Sequence, residues 1–122
     1  MSMQVVVLHK PIFNVTKVKY IGVLNPNVTG IRRLVLDVMK PHEPDNVFLA
    51  LKLSEIENVD GVNLSLMEID QSTETLKITI VGDNINYKEV KKVIEDLGAA
   101  IHSVDEIVAG KKIIDAVKTE QD

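Results

Sequence analysis

The sequence has no cysteine and no tryptophan, and only four aromatic residues in 122: Phe13, Tyr20, Phe48 and Tyr87. Without thiols it can form no disulfide, no thiolate zinc site and no cysteine nucleophile. With so few rings, its core must be built from Val, Ile and Leu. No apolar run approaches the roughly 18–20 residues that span a bilayer. Val5 to Leu8 is too short for a signal-peptide core, and no small-residue cleavage site follows it, so a cytosolic location is expected. The glycines stand singly at turns. That excludes a P-loop, a Gly-rich dinucleotide turn and a nucleophile elbow.

Acids are missing from the first 30 residues, which carry Lys10, Lys17 and Lys19. The remainder holds eleven basic against eighteen acidic residues, a net −7 within an overall −4. A break of this kind marks a compositional boundary near Gly30. Residues 1–29, with Pro11, Pro26 and several Asn, read as an arm that is partly disordered or docks on a neighbour, although Val15 to Leu24 could make a strand. They could also precede a true start near Val28. The negative domain, with no aromatics on its strands, speaks against nucleic-acid binding.

From Ile31 the pattern is regular. Leu34, Leu36 and Val38 alternate with Arg33, Val35 and Asp37, so both faces of a first strand are partly apolar and it should be central. Pro41 and Pro44 break it. Pro44 then suits the first turn of a helix reaching about Asn58, with Asp45 at its positive end. Val47, Ala50, Leu51 and Ser54, with Leu49, Leu53 and Ile56, give that helix a broad apolar face. Val62 to Ile69 and the stretch around Leu76, Ile78 and Ile80 repeat the strand alternation across a polar hairpin at Gln71–Thr73.

A second helix is capped by Asn86, with Glu89 placed for a capping box. Val90, Val93, Ile94 and Leu97 form its stripe, and Gly98 its left-handed stop. A fourth strand runs from Ala100 to about Val108, and Lys111 to Lys118 reads as a short terminal helix. The order βαββαβ predicts an α+β ferredoxin-like plait, a four-stranded antiparallel sheet with both helices on one face. The plait would occupy residues 30–112, leaving 113–122 as a short helix or tail. The expected core is Leu34, Leu36, Val47, Leu51, Leu64, Ile78, Val90, Ile94 and Leu97. The other sheet face would show Val35, Met67 and Val81 among Arg33, Ser65, Lys77 and Thr79, a candidate for self-association or for cover by the arm or terminal helix.

Several stretches resemble one family in register: Gly30 to Val38 (GIRRLVLDV), Lys40 to Pro44 (KPHEP), Val59 to Asn63 (VDGVN), and His102 to Glu106 (HSVDE) followed by Ala109-Gly110-Lys111. The family is a small archaeal one, domain-of-unknown-function family 211. The resemblance implies a ferredoxin-like fold, a cytosolic archaeal origin and ring-like homo-oligomers, and it implies no activity. A more distant likeness, through Val59 to Val62 and Asn86 to Gly98, is to heavy-metal-associated domains. Those domains bind soft metals through two Cys in the loop after the first strand, and here Met39 to Pro44 has none.

The plait topology should gather Asp37, His42, Glu43 and His102 at one edge, as a ligand site. His42, Glu43 and His102 would then form a set suited to zinc, manganese or nickel. The competing reading is that the histidines make ordinary hydrogen bonds that hold a proline-rich loop on the sheet. Two functions follow. One is a non-enzymatic homo-oligomeric module able to bind a small ligand or divalent cation, with no catalytic residues assigned and no partner but itself. The alternative is an enzyme with metal-assisted or acid–base chemistry in the loop after the first strand.

Overall fold

The computed structural model describes the backbone of residues 2–5 and all atoms of residues 30–116. The expected strand at Val15 to Leu24 lies outside the described residues. The elements are β1 (Ser2–Val5), β2 (Ile31–Pro41), α1 (Asn46–Ser54), β3 (Val59–Ile69), β4 (Thr73–Gly82), α2 (Tyr87–Asp96) and β5 (Ala100–Ala109). All pairings are antiparallel in one five-stranded sheet of order β1-β3-β4-β2-β5. Strands β2 to β5 with the two helices make the ferredoxin-like plait, with β2 internal between β4 and β5 as its two-sided apolar pattern requires. β1 adds a fifth strand outside that plait, on the free edge of β3.

The core is a ladder of three apolar rungs. Leu34 lies opposite Ile80, Leu36 opposite Ile78, and Val38 opposite Leu76. The same three β4 residues face Val62, Leu64 and Leu66 on β3. Leu49, Ala50, Leu53, Val90 and Ile94 from the helices close over this face.

Both helix starts are capped, α2 by Asn86 as its sequence suggests and α1 by Asp45, which stands at the cap rather than inside the helix's positive end. Asp45 accepts from the Phe48 N–H at 2.8 Å, and Asn86 from the N–H groups of Lys88 and Glu89 at 3.0 and 3.3 Å. Pro44 therefore precedes the helix rather than entering its first turn. α2 ends in a full Schellman motif. Gly98 has φ 83°, its N–H bonds to the Glu95 carbonyl at 3.0 Å, and Ala99 N–H bonds to that of Ile94 at 3.1 Å. Gly82 is needed for a different reason, because a Cβ there would stand 2.0 Å from the Asn58 carbonyl oxygen.

Three expectations are corrected. α1 ends at Ser54, not near Asn58. It also buries the face of Leu49, Ala50, Leu53 and Ser54, leaving Val47 and Leu51 at 47% and 40% exposure. Leu51 sits about 200° round the helix from Leu49, so the two cannot share one buried stripe, and a helix apolar on several sides does not say which side turns inward. Finally, residues 111–116 are irregular rather than helical. A stretch so short, carrying Ile113 and Ile114, lacks the length to hold a helix without packing. No helix among the described residues is long and apolar enough to cross a membrane.

Leu36→Ala and Ile94→Ala, both at fully buried positions, should each cost about 2–5 kcal/mol in chemical denaturation. Leu51→Ala, by contrast, should stay within about 1 kcal/mol of wild type. Equal effects at all three would overturn this assignment of the helix face.

Candidate functional site at the end of the sheet

The inward phase of β2 runs Leu34, Leu36, Val38 and then Lys40. On β4 the matching phase runs Ile80, Ile78, Leu76 and then Glu74. Lys40 and Glu74 are thus direct cross-strand partners, the charged fourth rung of an apolar ladder. Lys40 has no solvent exposure at all. Its ammonium has three protons to place, and the loop after β2 supplies three carbonyls. Nζ donates to Pro41 O at 2.7 Å, to Pro44 O, and at 3.4 Å to His42 O. Glu74 Oε1 stands 3.9 Å from Nζ, an ionic contact rather than a hydrogen bond.

Glu74 is itself held from two more sides. Asn46, the first residue of α1, donates Nδ2 to Oε1 at 3.0 Å. His42 Nδ1 meets Oε2 at 2.8 Å, and its Nε2 lies 3.1 Å from the carbonyl of Gln71 in the β3–β4 hairpin. Both ring nitrogens therefore face acceptors, and only the doubly protonated imidazolium can donate to both. Its ionisation is raised accordingly, first by the Glu74 hydrogen bond and then by that to Gln71. The Glu74 carboxyl is held below the usual carboxylate range, by His42 foremost, against the opposing effect of its own burial. The Asn46 side-chain oxygen is buried and finds no donor among the described residues.

Of the expected site residues, only His42 belongs to this network, and it acts as the competing reading proposed: it pins the proline-rich loop to the hairpin. Glu43 is exposed beside it. Asp37 sits on the opposite face of β2, at the level of Lys77 and Ser103. His102 is exposed on β5, at a bulge between Ser103 and Ile101. β4 and β5 flank β2 on opposite sides, so the hairpin that holds His42 is remote from His102. Among the described residues no three His, Asp or Glu side chains stand close enough to hold a metal ion. Sequence reasoning missed Lys40, Glu74 and Asn46. The signal was present for two of them, since Lys40 and Glu74 continue the inward phase of their strands.

The network is closed. Lys40 cannot meet a substrate, and the Glu74 oxygens are already engaged. Chemistry open to solvent lies instead on the other face of the sheet. There Arg33, Val35, Lys77, Thr79, Asp105 and Glu106 line a wide depression of about 500 Å³. A smaller one of about 250 Å³, beside Gly61, Asn63 and Val81, shares Thr79 with it. Arg33 is fixed there by Glu106 at 2.7 Å and Asp115 at 3.1 Å.

These features define the class, an α+β ferredoxin-like domain whose helices, among the described residues, cover one sheet face and not the other. The chain belongs to domain-of-unknown-function family 211, described as uncharacterized ArCR, whose model matches residues 32–122. It is similar to the uncharacterized protein MJ0319 of Methanocaldococcus jannaschii, with 55% identity over 95 residues, 78% of this chain and 98% of that relative.

Two predictions follow from the closed network. Lys40→Met keeps most of the volume but strips three carbonyls of their donor and Glu74 of a nearby positive charge, and should cost on the order of 3–5 kcal/mol in urea unfolding. A near-neutral result would show that the ammonium is not structural. The pH dependence has a worked sign. The His42 contribution is full below its ordinary value near 6.5 and is lost as pH rises through its raised folded value. That of Glu74 is full above its ordinary value near 4.5 and is lost as pH falls through its lowered one. As pH rises from about 6.5 through the raised His42 value, wild type should therefore lose more stability than His42→Ala, and parallel profiles would refute the coupling.

Proposed function

We propose that this chain is a non-enzymatic module that works by assembling with copies of itself through the open face of its sheet. The carrying observation is that both helices pack on one side, leaving Val35, Thr79 and Val81 half-exposed on the other, with Met67 at 61%. Two pairs of opposite charge lie on that face, Arg33 bonded to Glu106 and Lys77 across from Asp37, while Asp105 accepts from the Ser103 hydroxyl. A face of this kind can meet a second copy without stacking like charges, which matters for a chain with net charge −4.

The sheet edges support the face over the edges as the surface used. β1 covers the edge of β3. β5 is the other edge, and its pairing with β2 is broken at three places. Bulges of this kind twist an edge and blunt it against strand addition. An enzymatic reading has less support, because in the densest polar network Lys40 is fully buried and both Glu74 oxygens are already engaged.

Val35→Glu places a carboxylate at the centre of the open face without touching the core. Light scattering and sedimentation should show a wild-type oligomer at micromolar concentrations. The variant's dissociation constant should rise by about tenfold or more, with an unchanged fold by circular dichroism. A monomeric wild type would end this reading.

A further inference from the structure

The chain leaves β5 at Gly110, whose φ of 126° turns it out of the sheet. Two bonds fix that corner. Gly110 donates its N–H to Gly30 O at 2.8 Å, and its carbonyl accepts from Arg32 Nε at 2.6 Å. Arg32 is anchored in turn by Asp83 at 2.6 Å. Five residues beyond the corner, Asp115 meets Arg33 at 3.1 Å, and Arg33 lines the larger depression of the open face. Residues 111–116 therefore double back from the sheet end to the rim of that face.

We propose that this segment is a releasable strap, which competes with a second copy for Arg33 and the depression beside it; this rests on the open-face reading above. Three observations support release rather than permanent cover. All of residues 111–116 are exposed, with Ile114 at 68%, so no core packing holds them. The Asp115 side chain is 87% exposed, and ion pairs so wet are weak and screened by salt. Arg33 also keeps a second carboxylate, Glu106 on the neighbouring strand at 2.7 Å. When Asp115 leaves, the guanidinium stays paired, so a partner covering it buries no lone charge. The strap is thus fastened by the one carboxylate of the two that the sheet can do without.

The test compares wild type, Asp115→Asn and Asp115→Arg as full chains, by sedimentation over a range of salt and by nitrogen-15 relaxation of residues 111–116. Asp115→Asn should raise the fast motion of that segment and tighten self-association about 2–5-fold, and Asp115→Arg should do more. The gap from wild type should narrow as salt rises. Self-association that is unchanged or weakened in both variants would overturn the strap while leaving the open-face reading intact. Relaxation that does not respond to either variant would do the same. If every protein stayed monomeric, the open-face reading would fall first and the competition with it.

Discussion

A buried ammonium constrains this fold more than any other single group. Taking Lys40 out of water costs several kcal/mol, and its attraction to Glu74 at 3.9 Å does not by itself offset that cost at the effective dielectric of a protein. What makes the position tenable is geometry. Three protons meet three carbonyls of a loop in which Pro41 and Pro44 have no N–H of their own. The loop needs a donor and the lysine needs acceptors, so each solves the other's desolvation. The consequence is asymmetric: intact, the arrangement adds little net stability, whereas losing one partner leaves the rest buried and unsatisfied. Through Glu74, His42 and Asn46 the same group ties together the end of β2, the β3–β4 hairpin and the start of α1.

Much of this architecture was legible in the sequence, and the reasons differ from element to element. The strands were readable because Leu34, Leu36 and Val38 alternate with polar neighbours at period two, and α2 because Asn86 and Gly98 punctuate a single apolar stripe. α1 was readable as a helix but not in its orientation, because Val47, Phe48 and Leu51 make it apolar on the outside as well. The site was not legible in its position. Placing His42 and His102 at one sheet end ignored that β2 has a neighbour on each side, so residues at the same height can stand one strand apart in either direction. Lys40 went unread for the opposite reason: its charge argued for the surface while its phase argued for the core, and phase won because the loop carbonyls were there to receive it.

One strand supplies both surfaces of this molecule. The even positions of β2, from Leu34 to Lys40, form the core ladder and the buried network. The odd ones, Arg33, Val35 and Asp37, form the open face. A slip of one residue would exchange the two sets, so the register must be pinned. It is pinned at the far end by Lys40, the one inward residue whose partners no other position could satisfy. Within the pairings of β2 the irregularities fall on the β5 side, beside His102 and Asp105, and at Arg32, while its ladder with β4 is unbroken. There a change of register alters the edge without disturbing the rungs between β2 and β4.

The two ends of β2 therefore respond to different solution conditions. Lys40 and His42 lie at its end, Arg32 and Arg33 at its start, some seven residues or about 23 Å away along the strand. That separation exceeds the screening length at physiological salt, and groups so far apart with no shared partner act independently. Buried charge at one end is shielded from salt but tied to protonation through His42. The exposed pair at the other is open to salt. Protonation thus acts at the loop end of β2, and ionic strength at its Arg33 end. Because both act through one rigid strand in a fixed register, neither has to disturb the other.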